Sequence, residues 1–145
     1  MTTVTFRRLH DNDQPLPAYA TDGSAGMDLR TTGGGWLHPG QSSLWPTGLA
    51  VSIPSGFEGQ IRPRSGLAAR HGITVLNAPG TIDNDFTGEL MVLLINHGEE
   101  RFWIAEGDRI AQLVIAPVVQ ATIAVAESLD ETVRGVGGFG STGIR

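Results

Sequence analysis

No cysteine occurs among the 145 residues, which excludes disulfides, thiol nucleophiles and thiolate metal sites together. Positive charge is also scarce: ten Lys plus Arg stand against fifteen Asp plus Glu, a net charge of −5. Such a chain has no general attraction to nucleic acid or to an anionic membrane. An anionic ligand would need a local arginine cluster or a metal. No apolar run approaches membrane-spanning length, and the N-terminus lacks a basic-then-apolar signal pattern, so a soluble, cytoplasmic protein is expected. An apolar share of 40% argues against disorder of the whole chain, and the length fits one domain with a modest core.

Glycine and proline are plentiful instead, with 20 and 8 copies. They point to many short strands joined by turns, an all-β fold, with no internal repeat and no βαβ alternation. Alternation or apolar runs predict strands over residues 3–9, 48–54, 57–64, 101–104, 109–116 and 118–126, with short elements at 23–30 and 36–40. One helix is expected, with Ser65 at its N-cap, Leu67-Ala68-Ala69 inside and Gly72 just past its end.

The chain is organised around residues 77–90, between the apolar runs 72–76 and 90–95. A Pro79-Gly80 turn signal and a second break at Thr87-Gly88 predict a hairpin with a wide, ordered mouth. Backbone groups in such a mouth can read the edge of a flat ligand, Phe86 offers an apolar ring, and Asp83 can hold and deprotonate a water. Asn77 both donates and accepts, which suits an imide edge. Turns favour these residue types anyway, so on its own the segment reads more readily as a polar turn carrying two solvated aspartates. Elsewhere Arg64 and Ser65 stand at a helix start, where free N–H groups favour phosphate but where plain surface caps are commoner. Within residues 23–30 Asp28 is the only acid and has apolar neighbours on both sides, a residue to single out or simply a strand residue facing water. Gln112 interrupts an apolar run, either facing outward or buried with partners. Residues 134–143 hold five glycines in ten, a segment that cannot pack a core. Its N–H groups and hydroxyls can wrap phosphates, although a Gly-rich terminus is more commonly a flexible tail of no consequence. It is no Walker loop, because the Lys is missing and no helix follows.

Five segments taken in order resemble the motifs of the trimeric dUTP pyrophosphatases: residues 25–29 (Ala-Gly-Met-Asp-Leu), 64–68 (Arg-Ser-Gly-Leu-Ala), 80–89 (Gly-Thr-Ile-Asp-Asn-Asp-Phe-Thr-Gly-Glu), 107–113 (Gly-Asp-Arg-Ile-Ala-Gln-Leu) and 134–143 (Arg-Gly-Val-Gly-Gly-Phe-Gly-Ser-Thr-Gly). The resemblance implies a jelly-roll-type β-barrel over residues 1–133, a mobile lid over 134–145, and a homotrimer with sites at subunit boundaries. It also implies magnesium-assisted hydrolysis of dUTP to dUMP and pyrophosphate, which supplies dUMP and keeps uracil out of DNA. Asp83 would be the general base. Asn77, Gly80, Thr81, Ile82, Phe86, Met91 and Phe139 would hold uracil and deoxyribose. Arg64, Ser65, Gly66, Gln112, Arg134, Gly140, Ser141 and Thr142 would hold phosphates, and Asp28 would support Mg2+ through water.

Two positions depart from the family pattern. Phe86 stands where Tyr is common, which keeps a ring for the deoxyribose and loses a phenol. Met27 replaces a common Tyr or Leu, a change that packing should absorb. Asp85 reads as a turn residue. The nearer rival is a dCTP deaminase, or a bifunctional deaminase, of the same fold, which would need an acid for the exocyclic amine and would not be expected to carry this tail. The further one is a non-enzymatic trimeric nucleotide-binding module, which would have no reason to keep Asp83 together with a phosphate lid.

Overall fold

The computed structural model describes residues 2–143. Ile144 and Arg145, the end of the expected lid, lie outside the described residues. Ten strands and one helix follow in chain order: β1 (Thr5–Arg8), β2 (Met27–Arg30), β3 (Gly35–Leu37), β4 (Ser42–Ser52), β5 (Phe57–Arg62), α1 (Ser65–His71), β6 (Ile73–Val75), β7 (Gly80–Ile82), β8 (Glu89–Asn96), β9 (Phe102–Ile104) and β10 (Arg109–Pro117). They form two four-stranded sheets, ordered β1-β4-β8-β6 and β2-β10-β5-β7, plus the ribbon β3-β9. Every pairing is antiparallel. The all-β expectation stands, while no closed barrel forms among the described residues.

Alternation explains which side chains meet. Along β8, Leu90, Val92 and Leu94 point inward and are fully buried, with Trp45 and Val51 of β4 beside them. The other sheet contributes Met27, Leu29, Ile61, Ile110, Ala111 and Leu113 to the same core, and the ribbon adds Leu37 and Ile104. The outward residues of β8, Met91, Leu93 and Ile95, are apolar too and only half-buried. An antiparallel sheet usually keeps one face polar and wet. This one does not.

Three expectations need correction. Residues 118–126 form no strand; the last strand is β10, and Val119, Ile123 and Val125 stand almost fully exposed. Their alternation is real, but beyond the Val118 N–H bond to the Gly56 carbonyl no strand among the described residues pairs with the segment. Strand β4 starts six residues earlier than expected, because Pro46 sits beside a register irregularity between Pro46 and Ala50 where the ladder needs no N–H from it. Ser65 does not cap α1: Arg64 is the N-cap residue, and no side chain bonds to the helix start. The other end is as expected. Gly72 adopts φ 67° and returns its N–H to the carbonyl of Ala68. A Cβ there would lie 2.5 Å from the backbone nitrogen of Gly98, so only glycine fits this close approach.

The ribbon is held by its outward pair. Trp36 faces Trp103 across the strands, with ring centroids 5.2 Å apart in an edge-on arrangement, and the Arg101 guanidinium lies 4.2 Å from the Trp36 ring centroid. Removing one ring by Trp103→Ala should cost about 1 kcal/mol, since cross-strand aromatic pairs contribute at that level beyond burial. The urea midpoint checks it; an unchanged midpoint would mean that the pair adds nothing to stability.

Candidate active site

The hairpin around residues 77–88 forms as the apolar runs require. Ile73, Thr74 and Val75 pair with Asn96, Ile95 and Leu94, and the Leu76 N–H reaches the Leu93 carbonyl at 2.9 Å. Its mouth is wide because Gly80–Ile82 leaves this sheet and pairs with Gly59–Ile61 of the other. The mouth therefore bridges both sheets. Gly80 is buried, and a Cβ on it would meet the Asn77 side-chain nitrogen at 3.3 Å, so the Asn77 amide lies against the Gly80 backbone. Phe86 lies over Gly88, where a Cβ would come within 2.7 Å of the ring tip. The ring is 41% exposed.

Asp83 follows β7 directly, its carbonyl accepting the Phe86 N–H in a turn at 3.2 Å. Its carboxylate is exposed and has no hydrogen-bond or ion-pair partner among the described residues. It borders a cleft of about 520 Å3 with Ser55, Glu58, Thr81 and Asp85. Thr81 is exposed, Ile82 half-buried, and Met91 sits opposite Pro46 on the outer face of β8.

A second cluster lies on the outer face of the β2-β10-β5-β7 sheet. Asp28 of β2 faces Gln112 of β10, which in turn faces Arg62 of β5, so the three share one row. Gln112 thus faces outward, half-buried, and Gly26 leaves room for it: a Cβ there would sit 3.3 Å from the Gln112 Cβ. The Asp28 carboxylate is gripped from two sides. Arg64 donates through Nε to Oδ1 at 3.1 Å, and Arg109 through Nη1 to Oδ2 at 3.0 Å. Arg64 also donates through Nη1 to the Arg109 carbonyl at 3.1 Å. Ser65 and Gly66 open α1 beside Arg64 and are exposed. Arg30, Arg64 and Arg109 line a cleft of about 430 Å3 with Asp108. Neither Arg30 nor Arg109 was individually legible as part of a site, because nothing in strand alternation says which guanidinium turns toward Asp28.

Asp83 and Asp28 do not meet within the chain. Asp28 lies level with Arg62 of β5 and three strands away from β7, whereas Asp83 lies level with Glu58, four residues farther along. With strands ~4.8 Å apart and ~3.3 Å per residue, the backbone positions of the two residues are separated by roughly 20 Å. Among the described residues, 134–143 make no hydrogen bond or ion pair to either cluster. Arg134 bonds the Gly137 carbonyl at 2.9 Å, the turns at Gly135, Gly137, Ser141 and Gly143 close on themselves, and Phe139 is fully exposed.

Comparison with known proteins identifies the family. The family model described as dUTPase matches residues 12–143. The chain belongs to the dUTPase family. It is 58% identical over 143 residues to the deoxyuridine 5'-triphosphate nucleotidohydrolase of Anaeromyxobacter sp. (strain Fw109-5), covering 97% of each chain. It is 59% identical over 133 residues to that of Rhizobium etli (strain CIAT 652), covering 89% of this chain and 85% of the other. Among solved structures, the Staphylococcus bacteriophage 80alpha dUTPase with dUpNHpp superposes with a TM-score of 0.90 at 25% identity, covering 99% of this chain and all of the other. A mutant dUTPase of the S. aureus phage phi11, 24% identical over 89% of this chain and 99% of its own, superposes with a TM-score of 0.81; its structure coordinates a structural Mg(II) ion. In this fold the five segments lie at the entry to β2, the β5–α1 corner, β7 with its turn, β10, and the tail.

Proposed function

We propose that the chain hydrolyses dUTP to dUMP and pyrophosphate, at a site completed between copies of the chain. The near full-length identity to deoxyuridine 5'-triphosphate nucleotidohydrolases carries the reaction. The assignment of roles is supported by the two clusters. In the hairpin mouth, Asn77 and the backbone of Gly80, Thr81 and Ile82 face the uracil edge, while Phe86 and Met91 border the sugar and ring. Arg64, Ser65, Gly66 and Gln112 take the phosphates, as free N–H groups at a helix start and guanidinium donors suit phosphate oxygens. Asp83 accepts a proton from water as the water oxygen bonds to the α-phosphorus. The bond from that phosphorus to the α–β bridging oxygen breaks, and pyrophosphate leaves with the electron pair. The protein's contribution is positioning and charge stabilisation.

The donor set bears on the metal. No group of three or more His or acidic side chains converges among the described residues, and Asp28 offers one carboxylate whose oxygens each keep a lone pair beyond their arginine bonds. That set fits an ion carried mainly by the triphosphate and touching Asp28 through water, the manner in which Mg2+ keeps several waters. When bound, Mg2+ would offset charge on the phosphate chain.

Exposed apolar surface supports association between copies, and the family resemblance makes that a homotrimer. On the outer face of the β1-β4-β8-β6 sheet, Leu44 is 58% exposed beside Leu93 and Ile95, and the segment 118–133 displays Val119, Ile123, Val125 and Leu129 with no cover. Surface of this kind marks association. A second copy would also bring its Asp83 cluster to this copy's Arg64 cluster. The tail then serves as the lid, with Phe139 on uracil and Arg134, Gly140, Ser141 and Thr142 on phosphates.

Product analysis with dUTP, dCTP, dTTP and UTP, with and without magnesium, tests the reading. The expected products are dUMP and pyrophosphate, from dUTP alone and requiring magnesium. Deoxyuridine products from dCTP would place the chain among the deaminases, and binding without product would make it a nucleotide-binding module.

A further inference from the structure

Arg109 has no assigned part in the chemistry, yet it touches the phosphate cluster twice. Its Nη1 holds Asp28 Oδ2 at 3.0 Å, and its carbonyl takes Arg64 Nη1 at 3.1 Å. Asp28 is thus one negative charge between two positive ones, with side-chain exposures of 20% for Asp28, 27% for Arg64 and 48% for Arg109. Resting on the phosphate-site reading above, we infer that Arg109 is a positioning residue that takes over Asp28 when Arg64 turns to the triphosphate.

The reasoning is one of charge and donors. A guanidinium carries five N–H donors, of which Arg64 commits one to Asp28 and one to the Arg109 carbonyl. As long as Arg109 holds Oδ2, Arg64 can release Oδ1 and leave no unpaired carboxylate behind. The triad also carries a net charge of +1, which favours an anion. Without Arg109, Asp28 and Arg64 form a closed neutral pair. Arg64 must then abandon its sole counterion or stay shared between carboxylate and phosphate. Leaving a half-buried charge without its partner is unfavourable, and the ligand would bear that cost. Arg109 need not touch the nucleotide for this. Its effect reaches only ligands that draw on Arg64, so it scales with the phosphate chain and not with the base.

Calorimetric binding of dUMP and of the non-hydrolysable dUpNHpp, in magnesium-free buffer, tests the inference on the full-length protein. Arg109→Ala should weaken dUpNHpp roughly tenfold, the scale of one charge-assisted hydrogen bond, and leave dUMP within about twofold. Arg109→Lys should restore most of the loss. Adding Asp28→Asn to Arg109→Ala should also recover binding, because it frees Arg64 from the carboxylate. Equal losses for dUMP and dUpNHpp, or no loss, would overturn the inference provided Arg64→Ala still weakens dUpNHpp. If Arg64→Ala itself changes nothing, the phosphate-site reading fails first. Should Arg109→Ala melt below the assay temperature, Arg109→Lys and Arg109→Gln carry the same comparison, with Lys expected to bind dUpNHpp more tightly than Gln. The reverse order would overturn the inference.

Discussion

Asp83→Asn should lower dUTP turnover by about 10²–10⁴-fold, the range for losing a general base, while dUTP still binds. The substitution keeps the shape of the side chain and removes its ability to take a proton. Stability should barely change, because Asp83 is exposed and its carboxylate has no partner among the described residues; exposed sites of this kind usually stay within about 0.5 kcal/mol. Binding should persist because the mouth is held by other bonds: the β7–β5 pairing, the Leu76–Leu93 link and the Asn77 amide over Gly80. Pyrophosphate release gives turnover, and titration with dUpNHpp gives affinity. Near-normal turnover would remove Asp83 as the base. Loss of affinity with turnover per bound nucleotide unchanged would make it a binding residue.

Deletion of residues 134–145 should reduce turnover by about 10²-fold with the fold and the assembly intact, since misplacement of reacting groups alone costs that much. The physical basis is separation of tail from core. The hydrogen bonds of residues 134–143 close within the segment or onto Thr132, and Phe139 buries nothing. Closing this segment over a nucleotide would exclude bulk water and add Arg134, Ser141 and Thr142 to the phosphates. Circular dichroism and sedimentation separate the two possibilities. An unfolded or dissociated product would show that the tail is structural and end its reading as a lid.

Much of the fold was legible because period-2 alternation reports burial directly. Leu90, Val92 and Leu94 face the core, and Gly72 ends the helix with the backbone that its lack of a side chain permits. Residues 118–126 alternate just as well and form no strand here, since alternation says that a face wants cover and not which chain supplies it. Pro46 hid the first half of β4, because a proline inside a strand is tolerated only beside an irregular register that local sequence does not display. Ser65 had the right chemistry for a cap and the wrong position by one residue. In the site, Asp83, Asn77 and Phe86 were readable together because they share one hairpin mouth. Arg109 was not: its partner Asp28 lies 81 positions away, and only the β2–β10 register brings them side by side.

The roughly 20 Å between Asp83 and the Asp28–Arg64 cluster makes mixing of inactive variants the most direct test of a shared site. Asp83→Asn and Arg64→Ala chains would each be prepared, then unfolded together and reassembled. If one copy supplies Asp83 and another supplies Arg64, some sites in the mixed assemblies hold both native residues, and dUTP hydrolysis returns well above either variant alone. If the mixture stays as inactive as its parents although mixed assemblies are shown to form, the base and the phosphate cluster do not meet between copies, and the composite site is wrong.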